Sequence, residues 1–430
     1  MLIDNSELRN KISSGALDGA FAKLYSEDQL DRQKARYIRV SEAFDSLYGE
    51  GRQVGVYSAP GRTEVGGNHT DHNHGKVLAA GINLDAVAIA GENKDNTVRI
   101  KSEGYGMDVV SLDELEIKES ETGHSASLVR GVCAAFVQRG YKIGGFDAAT
   151  ASDVLSGSGL SSSAAFEVLV GTIINNLFNG GSISPVEIAK IAQWAENVYF
   201  GKPCGLMDQT ACSVGGFVKI DFNDPENPII EKVDFDFDAC GHSLCIVDSG
   251  ADHSDLTDDY AAVRGEMESA AAVFGKKVLR DVDKGVFFSC IADVRHKAGD
   301  RAVLRALHFY GENERVEKLA DALKNNDFDA FKAIIIESGH SSFMYNQNVF
   351  TCKNPQSQAV SLALAVSDEI LDGKGAYRVH GGGFAGTIQA FVPNDMLAFY
   401  QNIIGSVFGE KACYVLKIRP FGGCSVLELR

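Results

Sequence analysis

The stretch GSGLSSSAAF (157–166) places two glycines and four serines ahead of an apolar run that continues to Phe178. Gly157 and Gly159 permit close backbone approach and unusual dihedrals, while Ser161, Ser162 and Ser163 stand where a helix should begin. The first N–H groups of a helix have no intrahelical partner and carry the positive end of its dipole. Together these features make a cradle for phosphate, with serine hydroxyls able to add hydrogen bonds or a metal ligand. The blander reading is a serine cap on a core helix behind a flexible glycine joint. No Lys follows the last glycine, so this is not the P-loop pattern, nor is it GxGxxG. The local pattern leaves both readings open.

The totals narrow the class. At 430 residues the chain suits two domains rather than one core. A formal net charge of −17 argues against nucleic acid or an anionic membrane surface as a partner. Nine cysteines without a CxxC pair read as reduced thiols of a cytoplasmic protein. The N-terminus MLIDNSELRN lacks an apolar h-region, so no signal peptide is expected, and no apolar run is long enough to span a bilayer.

Periodicity predicts a helix over 27–48, with Tyr37, Phe44, Leu47 and Tyr48 on one face and Gly49 as its stop. Strands are expected at 54–60, 77–93 and 98–104, and helices over 125–140 and from 163 onward. Leu128, Val129, Val132, Cys133, Phe136 and Val137 form the apolar stripe of the first of these helices. The segment 164–178 is apolar almost all round, as in a buried helix. Beyond residue 215 strands mix with helices such as 354–372, where Asn354 is the expected N-cap, Pro355 the first position and Gly373 the stop. Without a regular βαβ alternation this reads as α+β. The expected organisation is a helical extension at 1–50, an N-terminal domain over 51–222 and a C-terminal domain over 223–430.

Three further constellations could carry chemistry. APGRTEVGGNHTDHNHGKVL (59–78) reads as a polar, glycine-rich loop between strands, with Arg62, Glu64, Asn68, His69, Asp71, His72 and His74. The histidine spacing H-x-x-H-x-H matches no strong metal pattern. In AENVYFGKPCGLMDQ (195–209), Pro203 and Gly205 force a turn that could bring Glu196 and Asp208 towards one cleft, although each alone reads as a surface acid. YRVHGGGFAGTIQAF (377–391) sets three glycines between two strands, compatible with close backbone approach or with a loose hairpin loop.

In this order, the motifs resemble those of the galactokinase family of GHMP small-molecule kinases. PGR-x-x-x-x-G-x-HTD at 60–71 is similar to the family signature, and GLSSSAA at 159–165 to its phosphate-binding motif. CGLMDQ at 204–209 and GGGFAG at 381–386 resemble its aspartate and glycine-rich motifs, and DSGADHSDLTDDYAAVR (248–264) resembles the segment supplying a sugar-contacting tyrosine. The resemblance covers roughly residues 54–430. It implies a mixed-sheet N-terminal domain, a ferredoxin-like C-terminal domain and an active site in the cleft between them.

It also implies ATP-dependent phosphorylation of a sugar O1, with galactose the leading substrate and Mg²⁺ as cofactor. Ser163 and Glu196 would ligate Mg²⁺, and the backbone of Gly157, Ser158, Gly159, Leu160, Ser161 and Ser162 would wrap the phosphates. Asp208 would act as catalytic base beside Arg62. Asn68, His69, Asp71, the Gly205 backbone and Tyr260 would hold the sugar.

The chain departs from the family pattern at several of these places. Glu64 stands for the usual Asn, Asn68 for the Glu expected on the 6-hydroxyl, and His72 for a Tyr. His380, Ala385, Leu155 and Asp252 are further departures. The "HTDH" form is closer to that of galacturonate kinases, which leaves a C6-altered hexose as an alternative. A non-catalytic sugar sensor is the alternative of another class, opposed by the intact SSSAAF and Asp208.

Overall fold

The computed structural model describes residues 1–154, 159–251 and 256–429. The chain folds into two compact units that interleave along the sequence. The first comprises Met1–Arg62, Gly81–Gly216 and Arg419–Arg430, and the second Thr63–Ala80 and Phe217–Ile418. The linear expectation of a boundary at 222 and a separate extension at 1–50 differs from this division. Residues Lys76–Ala80 pair in register with Phe217–Asp221, which assigns the glycine-rich segment to the second unit.

In the first unit a mixed sheet runs in the order Ile3–Asp4, Gln53–Gly66, Lys76–Glu92, Phe146–Ser152, Thr97–Ser102, Met107–Ser111. Only Thr97–Ser102 and Phe146–Ser152 pair in parallel among the registers described. Alternation puts Val54, Val56, Val87, Ile89, Ala149 and Ala151 on one core with Phe21, Tyr37 and Phe44 from the first helices. Residues 1–50 are therefore core rather than appendage. Helix Leu30–Tyr48 ends at Gly49 (φ 91°), but Leu47 stays 40% exposed, because only part of its apolar face meets the sheet. Val137 likewise drops out of the stripe on helix Ser125–Gln138.

A buried ionic cluster ties the N-terminal helices to the sheet and to the C-terminal segment. Asp85 accepts from Arg36 Nη1 at 2.7 Å, Arg419 Nη1 at 3.0 Å, Tyr25 Oη at 2.6 Å and Ser58 Oγ. Burial pushes its carboxyl up, but the two guanidinium groups outweigh this and hold it below the ordinary value. Removing one partner of such a set costs about 3–5 kcal/mol, since the remaining charges stay buried.

In the second unit four antiparallel strands run in the order Ala376–Val379, Thr387–Pro393, His242–Asp248, Cys413–Leu416. With helix Leu397–Phe408 before the last strand and a helical insertion before Ala376, this is the split βαβ arrangement of ferredoxin-like folds. Cys245, Val247, Val379, Ile388, Ala390 and Val392 pack against Val360, Ala363, Leu371, Tyr400 and Ile404. Helix Asp300–Lys324 lies in the insertion and packs on helix Phe328–Ser341 and helix Thr257–Ala272.

One expected helix start moves. The helix begins at Ala359 rather than after Asn354, because Asn354 accepts from Ser357 N (3.1 Å) in a turn that Pro355 pre-sets. Among the described residues no helix is long and apolar enough to cross a membrane.

Candidate functional site

The expected polar loop starts later than its composition suggests. Strand Gln53–Gly66 runs through PGRTEVG, leaving 67–75 as the loop, so Arg62 sits on a strand. A side chain at Gly61 would bring its Cβ within 2.7 Å of the Leu160 carbonyl oxygen, which explains the glycine there. Arg62 N donates to that same carbonyl at 3.1 Å, and Arg62 Nη1 donates to the Gly159 carbonyl. The remaining face of the guanidinium is bidentate on Asp208, Nε to Oδ1 at 2.7 Å and Nη2 to Oδ2 at 2.9 Å.

Asp208 lies in the first turn of helix Met207–Val214, just beyond the exposed Gly205. Its side chain keeps 31% of its exposure. Burial pushes its carboxyl up, but Arg62 and the hydroxyl of Ser161 together hold it below the ordinary range. It is an anion at neutral pH. Ser161 adopts φ 61° before helix Ser162–Phe178 and makes no side-chain cap, because its Oγ donates to Asp208 Oδ2 instead. Among the described residues no side chain caps the N–H groups opening this seventeen-residue helix, an arrangement that favours an anion. Gly159 (φ 72°) and the buried Leu160 lead into it. Gly157 and Ser158, like Leu155 and Asp252, lie outside the described residues.

A second carboxylate is gathered from three elements. Glu196 follows helix Pro185–Ala195 and opens a π-turn, Glu196–Phe200, that ends at Gly201 (φ 83°). Such wide turns re-aim side chains and are common at functional sites. Glu196 Oε1 accepts from Ser163 Oγ and from Lys202 Nζ, each at 3.1 Å, and Oε2 accepts from Gln209 Nε2 at 2.7 Å and Cys204 Sγ at 3.1 Å. Magnesium takes hard oxygen donors, one or two carboxylates with substrate phosphates. Ser163 and Glu196 meet that requirement. The exposed Lys202 ammonium lies on the same Oε1, so positive charge already faces that oxygen. Neither Gln209 nor Glu167, which lies within reach of Gln209, carried a signal beyond the place of Gln209 in CGLMDQ.

In the second unit, three successive carbonyls of the glycine-rich turn hold three of the expected sugar residues. Asn68 Nδ2 donates to Gly381 O at 2.7 Å, His69 Nε2 to Gly382 O at 2.8 Å, and Tyr260 Oη to Gly383 O at 2.9 Å. Gly381 (φ 66°) and Gly383 (φ 76°) supply the left-handed backbone this turn needs. His69 is itself left-handed (φ 57°), and Asp71 opens a single turn, Asp71–Asn73, closed by His74 (φ 59°). The rings of His69 and His72 are 5.8 Å apart, and His72 Nδ1 accepts from Asn73 Nδ2. Among the described residues no three His, Cys, Asp or Glu side chains are grouped to hold a metal ion.

Asn68 is held by protein groups at both ends of its amide. Its side chain is fully buried and committed on both ends: Nδ2 also donates to Glu64 Oε1 at 2.9 Å, and Oδ1 accepts from Asn348 Nδ2 at 2.9 Å. Ser342 Oγ also reaches Oδ1 at 3.4 Å, so all four hydrogen-bonding positions of the amide face protein groups. Its carboxylate neighbour Glu64 is paired with Arg378 Nη2 at 3.0 Å, and Arg378 Nη1 donates to the Val65 carbonyl.

Helix Asp300–Lys324 supplies supports that composition did not reveal. Glu312 accepts from the backbone of Gly67 (3.0 Å) and Asn68 (3.4 Å), Asn313 from Lys76 N, and His308 Nε2 donates to the Asn68 carbonyl at 2.9 Å. Burial takes His308 down to about 4, so it is neutral and Nε2 carries the hydrogen. Burial would raise Glu312, but Arg315 above all brings it to about 2.

Comparison with known proteins places these residues in context. Residues 127–216 match the description "GHMP kinases N terminal domain", and residues 42–92 match "Galactokinase galactose-binding signature". The chain is 34% identical over 392 residues to a galactokinase of Streptomyces coelicolor, covering 89% of this chain and 97% of that protein. It is 32% identical over 384 residues to a galactokinase of Glaesserella parasuis, covering 86% and 92%. Its fold matches the crystal structure of Lactococcus lactis galactokinase complexed with galactose, with TM-score 0.74, 25% identity and coverage of 89% and 98%.

Proposed function

The chain belongs to the galactokinase family of GHMP kinases, and from that premise we propose that it transfers the γ-phosphoryl group of ATP to the anomeric hydroxyl of galactose. The observation that carries this reading is the Asp208–Arg62–Ser161 set: an ionised carboxylate, partly exposed, oriented by two guanidinium bonds and one hydroxyl. In the reaction the O1–phosphorus bond forms as the bond from phosphorus to the ADP oxygen breaks, and the O1 proton must leave. A carboxylate held below the usual range is a weak base, so Asp208 accepts the hydroxyl's hydrogen bond first and its proton late. Arg62 fixes the acceptor's direction and adds positive charge beside the transferring group.

The uncapped start of helix Ser162–Phe178 and the segment 159–163 receive the phosphates. Ser163 and Glu196 would hold Mg²⁺, which would supply positive charge to offset that of the transferring phosphates. His69, Asp71, the Gly205 backbone and Tyr260 hold sugar hydroxyls. Asn68 acts through its neighbours, bridging Glu64 and Gly381 so that His69 is presented correctly. Support for galactose over galacturonate comes from the motifs, which add no arginine for a 6-carboxylate; Arg378, fully buried, has its Nη1 and Nη2 on the Val65 carbonyl and Glu64.

The test is ADP release with Mg·ATP against galactose, galacturonate, N-acetylgalactosamine, arabinose and glucose. Galactose should give the highest kcat/KM. A higher value on galacturonate would transfer the assignment to a uronate kinase, and no sugar-dependent ADP with any of the five would favour the sensor.

A further inference from the structure

Gln209 is fully buried and its one amide nitrogen serves two carboxylates, Glu196 Oε2 at 2.7 Å and Glu167 Oε2 at 3.3 Å. Glu167 is fully buried as well, and stands one helical turn beyond Ser163 on helix Ser162–Phe178. Ser163 thus addresses one oxygen of Glu196 while Gln209 addresses the other. What remains is unusual: Glu167 Oε1 and Gln209 Oε1 are both buried and both lack a hydrogen-bond partner among the described residues. Buried polar atoms are rarely left so, and one added hydrogen offers two residues already in contact a simple chemical remedy. A hydrogen on the Glu167 carboxyl would add a donor that an orphan Gln209 Oε1 can take, beside the N–H that Gln209 already gives to Glu167 Oε2.

We propose that Glu167 and Gln209 are a positioning pair that sets the orientation of the Glu196 carboxylate towards Mg²⁺, Glu167 acting as a neutral partner that locks the Gln209 amide. This rests on the reading of Glu196 as a Mg²⁺ ligand. The locked amide can turn only its N–H face to Glu196. Unlocked, it could flip its carbonyl towards that carboxylate and push it away. The surroundings agree, since burial first and the nearby Glu196 second push the Glu167 carboxyl well above the usual range. Partners of metal ligands of this kind typically alter metal affinity by about 10–100-fold when removed.

The experiment compares wild type, Glu167→Gln, Glu167→Leu, Gln209→Met and Glu196→Ala in two measurements. One is the rise in melting temperature that Mg²⁺ produces in the presence of ATP. The other is the Mg²⁺ concentration for half-maximal rate, read beside the galactose KM. Glu167→Gln supplies an N–H where the carboxyl supplied an O–H, so it should keep the wild-type Mg²⁺ response. Glu167→Leu and Gln209→Met should each need about tenfold more Mg²⁺ and show a smaller Mg²⁺-dependent rise, with galactose KM within about twofold of wild type. A Glu167→Gln variant as impaired as Glu167→Leu would mean an anion is required, and the proposal fails. If Glu167→Leu does not fold, Gln209→Met decides, and an unaltered Mg²⁺ response there also defeats it. Glu196→Ala separates the two readings. If its Mg²⁺ response is that of wild type, the ligand assignment itself falls; if it shifts while the other variants do not, only the positioning pair falls.

Discussion

The carboxylates of the first unit and the histidine loop of the second are built by opposite means. Around Asp208 and Glu196 the residues singled out by motif touch one another: Arg62 and Ser161 on Asp208, Ser163 on Glu196. Around His69, apart from Asn68 on Glu64, side chain meets backbone. His69, Asn68 and Tyr260 each reach instead to a backbone carbonyl of the 381–383 turn, and the loop's own backbone is gripped by His308, Glu312 and Asn313 from a distant helix. A phosphoryl-transfer centre needs charges in fixed mutual geometry, and its motif residues can supply that directly. A sugar-binding loop needs a fixed backbone shape, and left-handed turns such as that at His69 are held by whatever packs behind them. The two regions should therefore fail differently: the first in chemistry, the second in binding and stability.

Asp208→Asn is the most severe way to probe the first region. The amide keeps the shape but loses the charge that Arg62 faces and the proton acceptor for O1. We expect kcat to fall by roughly 10²-fold or more, the scale for losing a positioned base, with galactose KM little changed. Initial rates across a galactose series at saturating Mg·ATP give both numbers. Near wild-type kcat would remove Asp208 from the chemistry.

Glu312→Gln is the matching break in the second region, at a side chain that no motif singles out and that grips the loop only through its backbone. The neutral side chain leaves the Arg315 guanidinium without its anion (2.6 Å) and weakens the hold on Gly67 and Asn68. Loss of a charged hydrogen-bond acceptor contributes about 1.5–3 kcal/mol, so galactose KM should rise by about tenfold while kcat moves less. The pH dependence of stability should change with it. The carboxyl is held at about 2 in the folded chain against 4.5 ordinarily, so its contribution is complete above pH 4.5 and is lost as pH falls towards 2. Urea midpoints should drop for the variant at pH 7, and the difference from wild type should narrow through that acid window. A constant difference from pH 7 to pH 3 would show that Glu312 contributes no charge-dependent stability.

The same contrast explains what could be read from the sequence. Strand alternation and apolar stripes located most elements, because period-2 and period-3.6 patterns are local. The pairings Arg62–Asp208 and Ser163–Glu196 were legible only through the resemblance of their short motifs to those of the family, since each acid alone reads as a surface residue. Supports arriving from far along the chain left no local trace. His308 meets Asn68 across 240 positions, and the helix that carries it looks like any other charged helix. Asn68 reads as an exposed loop residue among histidines and glycines, and only the fold shows that Glu64, Gly381 and Asn348 surround it. Residues 1–50 read as an extension because the family resemblance begins near residue 54, and their place in the core shows only once the sheet is assembled. Asn354-Pro355 satisfied the rule for a helix start and the rule for a turn equally well, and turn geometry won.

The mildest probe sits where the glycine-rich turn meets a candidate sugar residue. Tyr260 Oη donates to the Gly383 carbonyl at 2.9 Å, and its ring meets Phe384 edge-on at 5.4 Å. Tyr260→Phe keeps the ring contact and the packing against helix Asp300–Lys324, and deletes only the hydroxyl. A neutral hydrogen bond contributes about 0.5–1.5 kcal/mol, and Tyr260 is half-buried, so the Gly383 carbonyl can recover part of that from water. The expected result is a change in unfolding free energy below about 1 kcal/mol and a galactose KM raised about threefold. The size of the second number decides what the hydroxyl does. If its only work is to hold the turn, the change in KM should track the change in stability, and a second substitution nearby that loosens the turn equally should raise KM equally. If the hydroxyl also meets the sugar, KM should rise well beyond what the loss of stability accounts for, and 2-deoxygalactose or another sugar lacking one hydroxyl should show a smaller gap between variant and wild type than galactose does. A KM identical to wild type on every sugar would leave the tyrosine as packing alone and would make the comparison between the two regions sharper, since the loop would then be held entirely by its helix and by His69 and Asn68.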